Sequence, residues 1–375
     1  MKPRVCFVVG ARPNFMKAEP VFRALAELDD SLELFLVHTG QHYDEEMSSV
    51  FMDELGLPKP DVFLSVGSGT HAEQTARALV GVEQVLLEHV PALVVVAGDV
   101  NSTLAAALAA SKLRIPVAHI EAGLRSFDES MPEEANRRLT DHLSQILLAH
   151  SDEATKNLTR EGIDPARIHL VGNTMVDSVF RHLPDALARK PWSKLGVEPR
   201  GFALVTLHRP ALVDDAALLE RTVEALIELA RVVPVVFPVH PRTKARLGGL
   251  DDGRLRDLGL SLCPPLGYLE FLALEAKAKF VLTDSGGVQE ETSALGVRCF
   301  TLRDTTERPV TVELGTNSVL GVDPDQIRTI PRLIETERAT REIPLWDGKA
   351  GERAAKVIAE FLEVTQQPPG APNVW

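Results

Sequence analysis

The feature that most constrains the fold of this chain is a repeated pattern. A short apolar run ends in a polar cluster that contains glycine, and a helix-like segment follows. In the first half the apolar runs are Val5–Val9, Leu32–His38, Leu93–Ala97 and Val117–Ile120. Short runs that are apolar throughout are typical of parallel strands buried on both faces. The pattern predicts alternating strands and helices, with each polar cluster at the carboxyl end of a strand, where open α/β sheets place their ligands.

The same pattern restarts after about residue 200, with runs at Phe202–Leu207, Val235–Val239, Phe280–Thr283 and Val297–Leu302. Because 375 residues exceed the length of one typical domain, two domains are expected. We therefore predict an α/β protein made of two Rossmann-like, doubly wound domains. The stretch 183–201 is expected to follow the first domain, and an amphipathic helix is expected at 351–365.

Composition excludes several classes of function. Lys and Arg (40) are outnumbered by Asp and Glu (53), and the net charge of −13 argues against a general binder of nucleic acid or of anionic membranes. The cysteines, Cys6, Cys263 and Cys299, lack metal-ligand spacing, so no metal site is expected. The chain shows neither a signal-peptide pattern nor an apolar run of membrane-spanning length, so we expect a soluble cytoplasmic protein.

The segment 280–295 predicts an anion-binding turn. A buried strand leads into Asp-Ser-Gly-Gly, and a helix is expected from Val288. Adjacent glycines at a strand-to-helix turn leave backbone N–H groups uncovered, and the positive end of the helix dipole lies there. Ser285, Gly286 and Gly287 would hold phosphate, and Glu291 would accept hydrogen bonds from a sugar diol. The alternative is an ordinary turn in which Ser285 caps the helix.

The segment 67–72 formally fits the dinucleotide fingerprint G-x-G-x-x-A. That fingerprint normally follows the first strand of a domain and precedes a strand ending in an acidic residue. Neither condition holds here, so no nicotinamide or flavin cofactor is expected.

Three carboxylates in the first half, Asp99, Glu121 and Glu133, lie at predicted strand or loop ends. Carboxylates that share a cleft are the usual groups for moving protons on and off carbon or oxygen. Each also has a structural alternative. Asp99 could cap a helix, Glu121 could pair with Arg125, and Glu133 could form an (i, i+4) pair with Arg137. Their clustering at successive strand ends favours a shared functional role.

Two His/Arg pairs follow apolar strands in the second half, His208-Arg209 and His240-Pro241-Arg242. They supply the local positive charge that an acidic chain needs to bind an anion, so a phosphate clamp is expected. Further cations are Arg308 on the same edge, and Arg12 and Lys17 after the first strand. A zinc site at His208 and His240 lacks a third ligand with supporting spacing.

Together these motifs resemble the non-hydrolysing UDP-N-acetylglucosamine 2-epimerases over nearly the whole chain. The matching segments are 10–13, 38–42, 98–99, 121–125, 132–134, 171–173, 208–209, 283–291 and 302–309. The resemblance implies the glycosyltransferase-B architecture, in which two Rossmann-like domains face a central cleft. It implies a first domain at 1–175, completed by the C-terminal helix 351–375, a UDP-binding domain at 176–350, and a homodimer.

The resemblance also implies an activity and its residues. The family interconverts UDP-N-acetylglucosamine and UDP-N-acetylmannosamine by anti elimination of UDP and re-addition to a 2-acetamidoglucal, without a metal or redox cofactor. By position, Asp99, Glu121 and Glu133 are implicated in proton transfer, and His208 steadies the leaving diphosphate. The substrate-binding residues expected from the turn, the clamp and the resemblance are Arg12, Lys17, His240, Arg242, Ser285, Gly286, Gly287, Glu291 and Arg308.

One departure from the family bears on regulation. Many members have Arg-Glu-Asn after the His-Arg pair, and the Glu helps to sense a second, activating UDP-N-acetylglucosamine. Here Pro210-Ala211-Leu212 stands in its place. Gln41 and His42 match the other residues of that second pocket, so they are candidate allosteric residues.

Other enzymes and a non-enzyme remain as alternatives. The segments 10–13 and 38–44 also resemble relatives that act on UDP-2,3-diacetamido-glucuronate, so the substituents at sugar C3 and C5 stay open. A hydrolysing relative would release free N-acetylmannosamine and UDP. A glycosyltransferase of the same architecture and a non-catalytic sugar-nucleotide sensor are disfavoured by the three carboxylates.

Overall fold

The chain divides into two compact units, Met1–Ser178 with Pro344–Trp375, and Val179–Ile343. The computed structural model describes residues 2–28, 31–40, 56–208, 215–239, 241–246, 252–336 and 340–366. At positions 12, 241, 242, 245, 252, 254 and 366 it describes the backbone only.

The described part of the first unit contains one parallel sheet. Its strands are β1 (Arg4–Val9), β2 (Glu33–His38), β3 (Val62–Phe63), β4 (Leu93–Ala97), β5 (Val117–Ala122), β6 (Ile146–Ala149) and β7 (Ile168–Leu170). The order across the sheet is β3-β2-β1-β4-β5-β6-β7. The helices that follow these strands are α1 (Arg12–Leu28), α2 (His71–His89), α3 (Asn101–Lys112), α4 (Pro132–Leu143), α5 (Asp152–Arg160) and α6 (Thr174–Ala188).

The second unit repeats the arrangement. Its strands are β8 (Ala203–Thr206), β9 (Val235–Pro238), β10 (Leu260–Cys263), β11 (Phe280–Thr283), β12 (Arg298–Thr301) and β13 (Asn317–Val319). They form a parallel sheet in the order β10-β9-β8-β11-β12-β13. Its helices are α7 (Pro191–Leu195), α8 (Ala216–Ala230), α9 (Pro241–Arg246), α10 (Asp252–Asp257), α11 (Tyr268–Lys277), α12 (Gly286–Leu295), α13 (Pro309–Glu313) and α14 (Ile330–Glu335). Two doubly wound parallel sheets confirm the predicted α/β class.

Both strand orders reverse direction at one point. In the first sheet β1 pairs with β2 on one side and with β4 on the other, and in the second sheet β8 pairs with β9 and β11. At such a switch point the loops after the two central strands diverge and leave a crevice at the carboxyl ends of the strands. Each unit therefore offers a ligand crevice at a position dictated by its strand order.

The central strands are buried on both faces, as their apolar composition predicts. Phe7, Leu93 and Val94 have no exposed surface. In the second unit Phe280 and Phe300 meet edge to face, with ring centroids 5.5 Å apart. Burying one such side chain stabilises a fold by roughly 1.5–3 kcal/mol, so these strands hold the site loops on a rigid base.

The strands that the apolar pattern failed to predict are instructive. The bounds of β4 and β11 are those expected, whereas β3, β7, β10 and β13 were not anticipated. These four lie at the edges of the two sheets, where a strand has fewer neighbours and carries no continuous apolar run. The interior strand β6 was missed as well. Strand β5 was expected to end at Ile120 but continues to Ala122.

The C-terminal helix α15 (Ala350–Gln366) belongs to the first unit. Asp177 accepts hydrogen bonds from the backbone N–H groups of Ala350 and Gly351, at 3.1 and 2.7 Å. Gly351 approaches α1 so closely that a Cβ there would lie 2.6 Å from the carbonyl oxygen of Pro20. The helix is thus held to the first unit by hydrogen bonds to its first turn and by a contact that only glycine permits.

A proline inside α1 leaves one backbone acceptor without its usual donor. Pro20 has no N–H to give to the carbonyl of Met16, four residues earlier. The hydroxyl of Ser178 donates to that carbonyl instead, at 2.6 Å. The last residue of the first segment therefore compensates for the break in the first helix.

No described helix combines the length and apolarity that crossing a membrane requires. Within the same residues, no group of three or more His, Cys, Asp or Glu side chains is arranged to hold a metal ion.

Candidate active site

The loop after β1 is tied to the end of β4 by one buried side chain. Asn14 accepts hydrogen bonds from the backbone N–H groups of Gly10 and Ala11, both at 3.1 Å. Its amide donates to the carbonyl of Ala97 at 2.7 Å. The two loops at the switch point of the first sheet are therefore fixed relative to each other. Asn14 was not among the expected site residues, although it directly follows the Gly-Ala-Arg-Pro motif.

Glu121 and Lys17 form a buried ion pair at this point. The Lys17 ammonium contacts Glu121 Oε2, and both side chains are about 95% buried. A buried charge is stable only when it is paired and hydrogen-bonded, so the two groups depend on each other. The alternative pairing of Glu121 with Arg125 is wrong, because Arg125 binds Asp141 and Glu161 instead. Lys17, expected near a phosphate, is the direct partner of a predicted proton-transfer group.

The backbone at Glu121 is strained. Its φ of +68° lies in the left-handed region, which side chains other than glycine rarely adopt. The residue lies at a register shift of β5 against β6, between Ile120 and Ala122. Such a bulge re-aims a side chain, and strain of this kind is stored at functional sites. Sequence alone places Glu121 after the strand, whereas it belongs to the strand as the residue that distorts it.

Gly98 is required by the same cluster. Its φ is +67°, and a Cβ added there would lie 2.9 Å from the Lys17 ammonium and 3.4 Å from Glu121 Oε2. A side chain at this position would therefore displace the ion pair. The Gly-Asp sequence after β4 combines close approach at Gly98 with a functional group at Asp99.

Asp99 is held by an arginine from helix α4. Arg137 donates to Asp99 Oδ2 from Nε at 3.0 Å and from a terminal nitrogen at 2.7 Å. The alternative role of Asp99 as a helix cap is wrong, since the N-cap of α3 is Val100 and no side chain caps that end. The carboxylate remains about one-quarter exposed. Within the described residues, Oδ1 makes no hydrogen bond, so it is available to a ligand.

Glu133 and its neighbour Glu134 have opposite environments in the first turn of α4. Glu134 accepts hydrogen bonds from Arg137 at 2.7 Å and from the backbone and hydroxyl of Ser126 at 2.9 Å. Burial opposes ionisation, but these donors outweigh it and lower the pKa of Glu134. The alternative (i, i+4) pair of Glu133 with Arg137 is therefore wrong, because Arg137 binds Glu134 instead. Glu133 is half-buried and makes no polar contact to the described part of the chain.

In the second unit, the turn between β11 and α12 has the predicted strand–turn–helix form. Ser285 is the N-cap of α12, but its side chain makes no capping hydrogen bond. Helix α12 begins at Gly286 rather than at Val288, because both glycines already have helical geometry. A Cβ at Gly286 would lie 2.9 Å from the guanidinium carbon of Arg308. The first turn of the helix thus lies directly against the side chain of Arg308.

His208 is oriented by Asp284, which was not among the expected site residues. Asp284 Oδ2 accepts the backbone N–H of His208 at 2.8 Å, and Oδ1 lies 2.8 Å from His208 Nδ1. Asp284 is buried, whereas more than half of the His208 side chain is exposed. A buried carboxylate bound to one ring nitrogen fixes the tautomer of the histidine and the direction in which the other ring nitrogen points. The available signal was the position of Asp284 directly after β11, beside the end of β8.

Arg308 is buried between carboxylates. Its Nε lies 2.9 Å from Glu290 Oε1, and a terminal nitrogen donates to Glu307 Oε1 at 2.7 Å. Glu307 also accepts from Arg303 at 2.8 Å. The charge of Arg308 therefore holds the loop after β12 against the first turn of α12.

Gln289 fixes the same loop from the helix. Its side-chain oxygen accepts from the Thr306 hydroxyl at 2.6 Å and from the Asn317 amide at 3.0 Å. Gln289 and Asn317 are fully buried. The 305–309 loop is thereby locked beside the glycine turn by hydrogen bonds as well as by ion pairs.

Glu291 lies next to a second buried carboxyl group. Glu275, on α11, is completely buried, and burial, followed by the charge and hydrogen bond of Glu291, raises the pKa of Glu275 well above its usual range. The buried surroundings of Glu275 and the nearby charge of Glu291 therefore favour the neutral form of Glu275. The sequence offers no signal for this contact, since the two residues lie on different helices.

Several expected site residues lie outside what the structure describes. These are Gln41, His42, His240 and the side chains of Arg12 and Arg242. The segment 67–72 is described, and it follows β3 rather than β1 and leads into α2, which begins at His71. Thr70 and Glu73 form a capping box there.

Comparisons with known proteins identify the family of this chain. The family model described as "UDP-N-acetylglucosamine 2-epimerase" matches residues 25–359. A UDP-N-acetylglucosamine 2-epimerase from Methanocaldococcus jannaschii is 43% identical, over 95% of this chain and 98% of its own. A UDP-2,3-diacetamido-2,3-dideoxy-D-glucuronate 2-epimerase from Pseudomonas aeruginosa is also 43% identical, over 96% of this chain and 99% of its own.

Solved structures are similar to this chain over their whole length. The M. jannaschii epimerase in complex with UDP-GlcNAc and UDP has a TM-score of 0.85, covering 95% of this chain and 99% of that one. The S. aureus MnaA–UDP structure is 30% identical to this chain and has a TM-score of 0.86. The match covers 99% of this chain and 100% of that one.

Proposed function

The chain belongs to the UDP-N-acetylglucosamine 2-epimerase family, and on that premise we propose that it interconverts UDP-N-acetylglucosamine and UDP-N-acetylmannosamine. The observation that carries the proposal is the set of carboxylates around the switch point of the first sheet. Asp99 is anchored by Arg137, and Glu121 is paired with a buried lysine at a strained bulge. A sugar-nucleotide sensor without catalysis has no need for a strained, ion-paired acid.

The proposed reaction breaks and remakes one bond at each of two carbons. A base takes the proton from C2 while UDP leaves C1 with the bonding electrons, which gives 2-acetamidoglucal and UDP. UDP then adds back to C1 while an acid delivers a proton to the opposite face of C2. The C2 proton is barely acidic, so stabilising the charge on the departing diphosphate is the larger requirement.

In the first unit we assign proton transfer to Asp99, Glu121 and Glu133. Inversion at C2 needs a proton donor or acceptor on each face of the sugar, so one carboxylate is insufficient. Asp99 Oδ1 and the Glu133 carboxylate make no hydrogen bond to the described residues, which suits a role toward substrate. Glu121 is held at the switch point of the sheet by its contact with Lys17.

In the second unit we assign diphosphate binding to His208, Ser285 and the first turn of α12. The N-terminus of α12 and the Ser285 hydroxyl, which makes no capping hydrogen bond, supply donors and positive potential for an anion, and Arg308 holds the adjacent loop in place. Asp284 contacts Nδ1 of His208, which leaves Nε2 for the departing phosphate. Glu291 is proposed to hold the ribose hydroxyls.

A second candidate substrate has a specific observation in its favour. The P. aeruginosa 2-epimerase of a diacetamido-glucuronate is as similar to this chain as the M. jannaschii enzyme is, at 43% identity. Both substrates share UDP and the C2 acetamido group, and they differ at C3 and C5. The proposed proton chemistry at C2 is the same for both.

Proton NMR in deuterated water tests the proposal. Incubation with UDP-N-acetylglucosamine should produce UDP-N-acetylmannosamine, with deuterium entering C2 of both epimers. Free N-acetylmannosamine with UDP would reassign the chain to a hydrolysing activity. Exchange only with the diacetamido-glucuronate nucleotide would move the proposal to that substrate, and no exchange with either would refute it.

Replacing Asp284 with asparagine should lower turnover by about 10²-fold, because an amide cannot accept both His208 contacts as a carboxylate does. The affinity for UDP should change much less, since the helix N-terminus remains. The measurements are kcat in both directions and calorimetric titration with UDP. Asp215→Asn is the matched control, because it alters an exposed helix cap in the same unit. Wild-type turnover in Asp284→Asn would show that the orientation of His208 is irrelevant.

A further inference from the structure

A histidine with no assigned role lies beneath the carboxylate cluster of the first unit. His119 is the third residue of β5 and is 1% exposed. Its Nε2 lies 2.8 Å from the carbonyl oxygen of Gly98, and its Nδ1 lies 2.7 Å from Asp141 Oδ1. A carbonyl oxygen can only accept a hydrogen bond, and so can an ionised carboxylate. Both ring nitrogens must therefore donate, which requires a proton on each.

The surroundings of Asp141 keep that proton on the ring. Asp141 is completely buried, and its Oδ2 lies 2.8 Å from Arg125 and accepts the backbone N–H of Gly123 at 3.1 Å. Burial opposes ionisation, but the charges and hydrogen bonds of His119 and Arg125 outweigh it and lower the pKa of Asp141. Arg125 is in turn bound at 2.7 Å by both oxygens of Glu161. The chain imidazolium–carboxylate–guanidinium–carboxylate is electrically neutral overall, and its first three members are buried.

The ring joins the three elements that carry the proposed proton-transfer groups. It belongs to β5, two residues before Glu121. Its Nε2 binds the carbonyl directly before Asp99, at the end of β4. Its Nδ1 binds Asp141 on α4, the helix whose first turn carries Glu133 and whose Arg137 holds Asp99.

We propose that His119 is a positioning residue, held as an imidazolium, which sets the mutual placement of Asp99, Glu121 and Glu133. This role rests on the proposed function of those carboxylates. A neutral ring can donate only one hydrogen bond, so it would release either the Gly98 carbonyl or Asp141. Displacement of a catalytic group by about 1 Å costs on the order of 10² in rate, so the effect should fall on turnover.

The protonation state is testable on the unaltered protein. In histidine labelled with nitrogen-15, both ring nitrogens of His119 should show the imidazolium signature at the pH of the activity assay. The signals are assigned through their change in Asp141→Asn and their loss in His119→Gln. A ring that carries a single proton in an active enzyme would overturn this role and leave the proposed function intact.

The kinetic test separates positioning from general stability. His119→Gln should lower kcat by about 10²-fold while the dissociation constant for UDP stays within about twofold, because the UDP groups belong to the second unit. Ser144→Ala is the matched control, since it removes a buried hydroxyl that binds Thr140 on the same helix and touches no proposed site group. Turnover of His119→Gln within about threefold of wild type would overturn the role. If His119 is an imidazolium but the protein exchanges deuterium into neither sugar nucleotide, the proposed function fails. The positioning role of His119 then fails with it.

Discussion

Glu121→Gln is expected to reduce the rate of deuterium entry at C2 and of epimerisation by about 10³–10⁴-fold, the upper range for loss of an acid–base group. The amide retains the shape of the side chain and an oxygen that can accept from Lys17. The amide is neither an acid nor a base near neutral pH, so the loss should appear in kcat. Isotope exchange by NMR and steady-state rates in both directions measure it.

The control for this substitution is Glu19→Gln. Glu19 is also a buried carboxylate of the first unit, on the same helix as Lys17, and burial raises its pKa to about 7. Removing its charge should leave turnover within about twofold of wild type. UDP binding reports the folded fraction of each variant. If Glu121→Gln exchanged deuterium as fast as Glu19→Gln does, Glu121 would have no part in proton transfer.

Arg308→Met is expected to have the largest effect on the second unit. It removes the guanidinium that lies 2.9 Å from Glu290 and 2.7 Å from Glu307. Breaking a buried ion pair by removing one partner destabilises a fold by about 3–5 kcal/mol, since the remaining charge stays buried. The 305–309 loop should lose its position beside α12, and the affinity for UDP should fall by at least about tenfold. Denaturant unfolding and calorimetric titration with UDP measure the two effects.

Arg221→Met isolates burial as the cause. Arg221 also binds two carboxylates, Asp323 and Asp325, both at 2.7 Å, but its side chain is about half exposed. Exposed pairs contribute little because water and salt screen them. The midpoint of unfolding should therefore stay close to wild type, and UDP should bind unchanged. Equal destabilisation by the two variants would contradict the account of Arg308.

Local sequence predicted the fold class and which side chains come directly after the central strands. Apolar runs buried on both faces need no long-range information, so β4 and β11 have their expected bounds. The positions of Asp99, His208 and the glycine turn follow from one rule, that ligand groups come directly after central strands. The edge strands were missed because their neighbours, rather than their own composition, stabilise them.

Tertiary structure alone decided which charges meet. Every alternative that the sequence offered for a carboxylate was a near neighbour: Arg125 for Glu121, Arg137 for Glu133 and a helix end for Asp99. The actual partners are Lys17, 104 residues from Glu121, and Arg137, 38 residues from Asp99. Strand order explains the difference, because β1, β4 and β5 are adjacent in the sheet although distant in the chain.

The same holds for the residues that orient the site. Asp284 reaches His208 across 76 residues because β8 and β11 pair at the switch point, and His119 reaches Asp141 because α4 packs behind β5. The sequence by itself determined the strands, the glycine turns and the kinds of side chain placed at the carboxyl ends. The environment of each carboxylate was decided only by the tertiary structure, since burial and a charged partner depend on elements brought together from distant parts of the chain.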